Sequence, residues 1–567
     1  MIILGINDGH NGSASLSENG KIVFALSEER ITRIKNFWGY PSETISHIFN
    51  NVKNKSSIDY FGIYRDSGGD FLVWRWAEPK KGDGFIIKKF IKPLIRRFGG
   101  NYIKYLSLVV SKKMMKNYYA DLLGVNASKI FLVNHHMCHA ESAIFSLDKS
   151  KDWLVFTVDA EGDQESGAVY RFKDNIVEKL TSIPRESSLG YFYTWITELL
   201  GMKPNQHEFK VMGLEPYVRK DTEQYERVYR KISALFFFED INYKSKISMV
   251  SKKYKKWLKV NLFQERFDNI AAATQKTFEF VTQRWIKNWI KKEEIYNVAL
   301  SGGSFMNVKG CQKILELDEV DDVYVMPSSG DETTVLGVCN YINRLKTGKN
   351  LEELEHLYYG IDWSNEHLIE WSQSINTEFY NIDYLDESIN SKVAELLSQG
   401  NVVARFDGRD EFGARALGNR SILAHPSNSK TIAEINKLIK DRDFWMPFTP
   451  SILKEDSGIY INNNKNISSP FMAITFDSTK QGERDFSAAI HPYDKTMRIQ
   501  MVTSETNMNY YNLLKNFKEL TGISGLLNTS FNLHGEPNVH TPSDALRTLD
   551  KSGLKYLAIG SVLITKK

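Results

Sequence analysis

MIILGINDGHNGSASL, residues 1–16, opens the chain. An apolar run from Ile2 to Ile6 ends in a turn of Asn, Asp, Gly and Ser, and a second apolar run follows from Lys21 to Leu26 before the charged EERITRIK. Small residues let backbone N–H groups close around an anion, so a strand ending in such a turn is a place to hold phosphate. The pattern recurs: WLVFTVDAEGDQESGAVYR (153–171), NVALSGGSFMN (297–307) and VYVMPSSGDETTVLG (323–337) each run an apolar strand into a glycine turn. Their spacing predicts an α/β protein with two related lobes around a nucleotide cleft. Between them FDNIAAATQKTFEFVTQRWIKNWIKK (267–292) repeats its apolar positions at three and four, which predicts one long core helix.

A chain of 567 residues is too long for one hydrophobic core, since single cores stop growing near ~250–300 residues. Two domains are expected, 1–350 and 370–567, with the polar, acidic stretch near 348–370 as connector. Hydrophobic residues at 42% and charged residues at 25% match a soluble globular protein. No apolar run reaches the ~18 residues of a membrane span, and the first residues read as a buried strand without a basic leader, so a cytoplasmic protein is expected. Cys138, Cys311 and Cys339 are too scattered for a disulfide framework or a CxxC zinc site. A net charge of +4 implies no general affinity for nucleic acid. The oligomeric state stays open, a homodimer included.

HHMCHAESA (135–143) gathers three of the twelve histidines. If the segment is helical, His135 and His139 share a face and can grip one metal ion, while His136 points elsewhere. A third ligand must come from another element, and Asp331, in a glycine turn after a strand, is placed to supply it. Two imidazoles and one carboxylate suit iron(II), and zinc or manganese as well; a zinc protease lacks support because the HExxH glutamate is missing. The competing reading is a pair of satisfied histidines on a partly buried helix. In DAEGD, Asp159 and Asp163 are candidates for a magnesium or a hydroxyl, or are turn residues. Gly302 and Gly303 allow close approach of a ribose or phosphate, or only shape a turn.

The late part of the chain has a different texture. Arg405, Arg409, Arg415 and Arg420 lie among glycines and small residues, an arrangement suited to forked, bidentate contacts with phosphate. Lys440, Arg442 and Arg498 follow, then Asn528 and Ser530 in the polar NTSFN turn. A solvated basic face is the alternative, although Glu and Lys rather than glycine-spaced Arg prevail on such faces.

Taken in order, HNGSASL, EERITRIK, NHHMCHAESA, DAEGD, SLGYFYTWITELLG with HEFKVMGLEPY, SGGSFMN, SSGDETTVLG, GARALGNRSIL, KDRDFWMPFTPS and NTSFNLHGEP span nearly the whole chain. They resemble the O-carbamoyltransferases of antibiotic and nodulation-factor biosynthesis. The resemblance implies an N-terminal actin-like (ASKHA) two-lobed domain, similar to the tRNA threonylcarbamoyl transferase subunit, and a C-terminal YrdC-like α/β domain, similar to the carbamoyl-adenylate synthase. It implies a two-stage reaction. Carbamoyl phosphate and ATP, the latter with Mg2+, give carbamoyl-adenylate in the C-terminal domain, and the carbamoyl group then moves to an acceptor hydroxyl in the N-terminal one. By the same resemblance His135, His139 and Asp331 are ligands of Fe2+ or another divalent metal, and His10 is the candidate base, an imidazole being able to take a proton near neutrality. Arg415, Lys440, Arg498, Asn528 and Ser530 are implied to hold carbamoyl phosphate and nucleotide, Arg415 and Lys440 offsetting charge as bonds break. Many relatives have Arg where this chain has Met446, which leaves Arg442 as the nearer substitute.

The acceptor is less legible. KKGDGFIIKKFIKPLIRR (80–97) and KSKISMVSKKYKKWLK (244–259) are strongly basic, and Tyr254 and Trp257 among the lysines are candidates to stack on bases. These stretches motivate a hydroxylated nucleotide or a hydroxymethylated base in nucleic acid as the alternative acceptor to the sugar or natural-product hydroxyl that is expected first; solvated lysine faces are the plain reading. A non-catalytic ATP-binding regulator would have no use for HxxxH, a distant Asp and an arginine block together.

Overall fold

The computed structural model describes residues 1–67, 112–428, 430–440 and 443–567; the basic stretch 80–97 and Arg442 lie outside them. The first sheet holds β1 (Ile2–Asn7), β2 (Ser13–Glu18), β3 (Lys21–Ser27), β4 (Tyr60–Ile63) and β5 (Ile130–Leu132) in the order β3-β2-β1-β4-β5. β2 and β3 are antiparallel neighbours on one side of β1, and β4 and β5 run parallel to it on the other. Here the sequence reading needs correction, because SASLSE, read as part of a turn, is itself a strand. Its serines are buried and spend their hydroxyls on carbonyls: Ser13 Oγ donates to Glu332 O at 3.0 Å and Ser15 Oγ to Val335 O at 3.0 Å. Small polar side chains thus let this strand pack directly on a helix.

The second sheet repeats the first. β6 (Trp153–Gly162), β7 (Glu165–Lys173), β8 (Ile176–Pro184), β11 (Asn297–Ser301) and β12 (Asp322–Val325) lie in the order β12-β11-β6-β7-β8, with β7 antiparallel and β11 parallel to the central β6. A hairpin, β9 (Phe236–Glu239) with β10 (Asn242–Ser245), stands apart. Two sheets of one topology are the two lobes predicted from the glycine turns.

Helices fill the lobes: α1 (His135–Ile144) after β5, α2 (Leu189–Leu199), α3 (Glu208–Leu214), α4 (Lys252–Leu262), α5 (Phe267–Glu293) and α6 (Thr334–Thr347) after β12. α5 is the long helix expected at 267–292, and buries Ile270, Thr274, Phe278, Val281, Trp285 and Trp289 at three- and four-residue spacing. None of the described helices is long and apolar enough to cross a membrane. α1 and α6 hold equivalent places in the two lobes and cross at Gly337, where an added Cβ would lie 1.8 Å from Cys138 O.

The stretch 348–370 is a strap rather than a free linker: Leu351 and Leu357 are buried, and Tyr359 O accepts from Ala25 N at 3.1 Å. Beyond it an eight-stranded mixed sheet comprises β13 (Tyr380–Tyr384), β14 (Val403–Phe406), β15 (Arg420–Ala424), β16 (Thr449–Leu453), β19 (Gln500–Val502), β20 (Gly525–Ser530), β21 (Tyr556–Ile559) and β22 (Val562–Lys566), in the order β13-β22-β21-β14-β15-β20-β16-β19. A short pair, β17 (Phe476–Asp477) with β18 (Thr496–Met497), lies beside it. α7 (Ile389–Ser398) and α8 (Met508–Thr521) cover one face through Val393, Leu397, Leu513 and Phe517. This sheet is tied to the lobes by polar contacts: Arg33 donates to Pro537 O at 2.9 Å, Arg409 to Val23 O at 3.0 Å, and Thr475 Oγ1 to Val308 O at 3.1 Å.

The α1–α6 crossing yields a first test. Gly337→Ala forces a methyl against backbone that cannot rotate away, so the expected cost is at least ~1–3 kcal/mol, the range for overpacking, with α1 displaced. Urea melts of the variant and wild type measure it; equal midpoints would show that the crossing is looser than described.

Candidate metal centre and anion site

Ligands of α/β sheets gather beyond the carboxyl ends of parallel strands, and so do the histidines and acids here. α1 begins immediately after β5. Asn134 caps it, its side chain accepting from Met137 N at 3.1 Å, and Asp163 Oδ2 accepts from His135 N at 2.8 Å, both favourable at the positive end of a helix. Asp163 also accepts from Ser67 N at 2.8 Å, so the second acid of DAEGD is an anchor for α1. One turn apart on the inner face, His135 and His139 bring their Nε2 atoms to 3.1 Å.

Two carboxylates meet them. Asp331, from the turn after β12, places Oδ1 3.4 Å from His139 Nε2 and 3.6 Å from His135 Nε2. Asp159, from the end of β6, places Oδ2 3.0 Å from His139 Nε2 and 3.5 Å from His135 Nε2. One donor atom from each of the four lies within 4.8 Å of all the others. Asp331 thus joins the histidines as predicted, and Asp159, read as a magnesium or hydroxyl contact, belongs to the same cluster. Burial pushes the Asp159 carboxyl up, but hydrogen bonds from both histidines outweigh it and hold it well below the carboxylate range. Burial pushes His139 down, and the two carboxylates outweigh it, raising the imidazole to about 9. Two half-buried carboxylates facing two buried imidazole nitrogens are the donor set of a first-row divalent cation, so the residues fit a metal ion. His136 turns away, its Nδ1 2.9 Å from Thr157 Oγ1.

Around the cluster, the first turn puts His10 Nδ1 4.0 Å from Asp331 Oδ2, with Trp38 edge-on to the ring at 5.5 Å. Asn7, fully buried, clips the turns together: its Nδ2 donates to His10 O at 3.0 Å, Asn11 O at 3.3 Å and Asp331 O at 3.0 Å, while its Oδ1 accepts from Gly9 N at 2.7 Å. Gly302 has φ +97° and turns the chain back on Val158, and Gly303 N stands 3.5 Å from Asp159 Oδ2. Asn7 had no distinguishing signal in the sequence.

The arginine block divides. Arg405 donates to Gly418 O at 2.7 Å and Asp407 Oδ2 at 2.6 Å, Arg409 to Gly360 O at 3.0 Å, and Arg420 to Asp407 O at 2.6 Å and Gly408 O at 2.9 Å. These three are structural, contrary to the phosphate reading, because a guanidinium fork matches carbonyls as well as phosphates. Arg415 differs: among the described residues it makes no hydrogen bond or ion pair, and desolvation lowers it to about 10 against the opposing pull of Glu332. The turn that carries it is built by buried Glu411, whose Oε1 accepts from Leu417, Asn419 and Arg420 N at 2.9–3.0 Å. Ala414 N donates to Ser328 Oγ at 2.7 Å, three residues before Asp331.

Asn528 and Ser530 follow on β20. Asn528 Nδ2 donates to Ala416 O at 3.1 Å and lies 3.4 Å from Gln500 Oε1, two residues after the half-buried Arg498. Lys440 closes a π-helical turn, Asn436–Lys440, and donates to Ser530 Oγ at 3.1 Å and Asn532 Oδ1 at 2.8 Å. Met446 sits against α3, where a Cβ at Gly213 would come within 3.2 Å of its sulfur.

A paired α/β body thus gathers a four-donor centre at its strand ends. The pattern described as Carbamoyltransferase N-terminus matches residues 2–339, and Carbamoyltransferase C-terminus matches 394–566: the chain belongs to the carbamoyltransferase family. It is 32% identical to an uncharacterized protein of Methanocaldococcus jannaschii across 100% of both chains. It is 28% identical to nodulation protein NolNO of Sinorhizobium fredii across 98% of this chain and 79% of that one. To the 3'-hydroxymethylcephem-O-carbamoyltransferase of Amycolatopsis lactamdurans it is 27% identical across 51% of this chain and 53% of that one.

Metal analysis tests the cluster. His139→Ala and Asp159→Ala are each expected to lower bound divalent metal from about one ion per chain to near none, and chelation to lower the wild-type Tm, since a ligand of the native state stabilises it. Full metal content in Asp159→Ala would remove that residue from the ligand set.

Proposed function

We propose an ATP-dependent O-carbamoyltransferase in which one water releases the phosphoryl group of carbamoyl phosphate as inorganic phosphate, the carbamate oxygen attacks the α-phosphorus of ATP to give carbamoyl-adenylate with release of pyrophosphate, and the carbamoyl group passes to an acceptor hydroxyl. In this reading residues 370–567 are the YrdC-like, adenylate-forming domain and residues 1–350 the actin-like transfer domain. The observation that carries it is the seam between the two sites. The turn bearing Arg415 is hydrogen-bonded to Ser328, so an anion on Arg415 lies next to the turn of Asp331. The name of the Amycolatopsis relative, an O-carbamoyltransferase of a hydroxymethyl group, supports oxygen as the receiving atom.

Arg415, Lys440 and Arg498 bind and orient carbamoyl phosphate and the phosphates of MgATP, and fixed cations there offset the charge that develops as phosphate bonds break. Asn528 and Ser530 position this site rather than donate to the anions, since Asn528 Nδ2 donates to Ala416 O and Ser451 Oγ and Ser530 Oγ donates to Asn532 Oδ1; Ser530 and Asn532 hold the Lys440 ammonium in place. The Gly302–Gly303 turn lets the nucleotide approach the backbone. His135, His139, Asp159 and Asp331 would hold a divalent cation, iron(II) or equally zinc or manganese, which when bound would supply positive charge to polarise and position the adenylate. His10 takes the acceptor proton as the hydroxyl oxygen attacks the carbamoyl carbon and AMP leaves. Asn7 keeps that base at the Asp331 turn. A sugar or natural-product hydroxyl is the acceptor we favour: Tyr254, the proposed base-stacking residue, is in the core, its hydroxyl donating to Phe192 O at 3.2 Å.

Pyrophosphate release is expected to require carbamoyl phosphate, and equal rates without it would rule out the adenylate route. Lys440→Ala and Arg415→Ala should abolish this release and keep the metal. Conversely, His10→Asn should release pyrophosphate normally and lose transfer by ~10²-fold or more, the scale of general-base loss. Asn7→Asp, which sets a carboxylate against three carbonyl oxygens, should show the same split; normal transfer in both variants would remove the first turn from the mechanism.

A further inference from the structure

α4 and the start of α5 form a surface unlike the rest of the protein. The inner side of α4 is core: Tyr254, Leu258 and Leu262 are buried, Lys255 pairs with Glu198 at 2.8 Å and its ammonium stands 3.5 Å over the Trp195 ring. Outward, at helical spacing, point Lys252, Lys256, Lys259, Val260 and Phe263, with Lys253 alongside and Phe267 just beyond. Val260 is 73% exposed, Phe263 78% and Phe267 59%. Phe263 is the most exposed large apolar side chain among the described residues and Val260 is third, after Phe444, so the apolar tip is not ordinary surface scatter.

The lysines are equally unspent. α4 contains no acid, and the acids nearby are engaged: Glu265 by Arg227 at 2.7 Å and Lys231 at 2.9 Å, Asp268 by Arg266 at 2.8 Å, Glu198 by Lys255. Lys252, Lys253, Lys256 and Lys259 make no ion pair among the described residues. A solubilising face would carry lysines without the apolar tip, and a nucleic-acid face would offer a flat aromatic platform, which burial of Tyr254 and half-burial of Trp257 withhold. Cations flanking protruding aliphatic and aromatic side chains match an anionic lipid surface, where ammonium groups meet headgroups and apolar side chains enter the acyl boundary.

We propose that the outer stripe of α4, with Phe267, docks this enzyme on an anionic membrane surface. The site is linked to the metal centre through α2, against which α4 packs: the N-cap residue of α2, Ser188, donates from Oγ to Ala160 O at 2.6 Å, next to Asp159.

The test is sedimentation of the full chain with vesicles of phosphatidylcholine, with and without phosphatidylglycerol, at low and high salt. Binding is expected to phosphatidylglycerol vesicles, to weaken with salt, and to fall by ~10-fold or more when Lys252, Lys253, Lys256 and Lys259 are replaced by Gln. Val260→Ser with Phe263→Ser should also weaken it while pyrophosphate release, measured as a check on folding, stays normal. No binding, equal binding to both vesicles, or binding indifferent to both sets of substitutions would overturn the proposal. Tighter binding to a polynucleotide, unaffected by the Val260 and Phe263 changes, would overturn it in favour of nucleic acid. Concentration-dependent self-association lost in Phe263→Ser, without vesicle binding, would assign the face to a second copy.

Discussion

Two half-buried carboxylates, Asp159 and Asp331, face two buried imidazoles, with donor atoms from all four within 4.8 Å of one another. Two like charges brought this close need a positive partner, which a protonated His139 or a bound cation supplies. The fold organises itself to meet that need. Three of the ligands stand at the end of a strand or the start of a helix and are fixed there: His135 by Asp163, Asp331 by Asn7, Asp159 beside the Gly302–Gly303 turn.

The repeated topology explains how one point collects all four. β1 and β6 are equivalent strands, as are β5 and β12. β6 brings Asp159, the helix after β5 brings His135 and His139, and the turn after β12 brings Asp331, while the turn after β1 sets His10 beside them. Pseudo-symmetric turns therefore meet in the cleft. The eight-stranded sheet joins this centre through the turn that Glu411 builds, with Arg415 half-buried and without a hydrogen bond or ion pair among the described residues and Arg405, Arg409 and Arg420 spent on holding the turn and the strap. The turn that carries Arg415 is hydrogen-bonded to Ser328, three residues before Asp331.

Much of this was legible in the sequence, and the exceptions have physical causes. Local periodicity decides α5 and the shared face of His135 and His139, and strand-to-glycine turns decide the lobes. Asp331 was reachable because a carboxylate in such a turn faces a cleft. β2 was missed because serines read as turn formers until the carbonyls they serve are known, and those carbonyls lie more than 300 residues away. Arg405, Arg409 and Arg420 were misread because a guanidinium looks the same in sequence whether it binds phosphate or backbone. Tyr254 belongs to the core for a reason visible only once α2 is in place.

Anomalous diffraction from crystals of the protein, collected at the absorption edge of the metal found by elemental analysis, tests the central claim most directly. The account expects one strong peak enclosed by Nε2 of His135 and His139 and the carboxylates of Asp159 and Asp331. A metal-replete crystal with no peak there, or with its peak bound elsewhere, would contradict it.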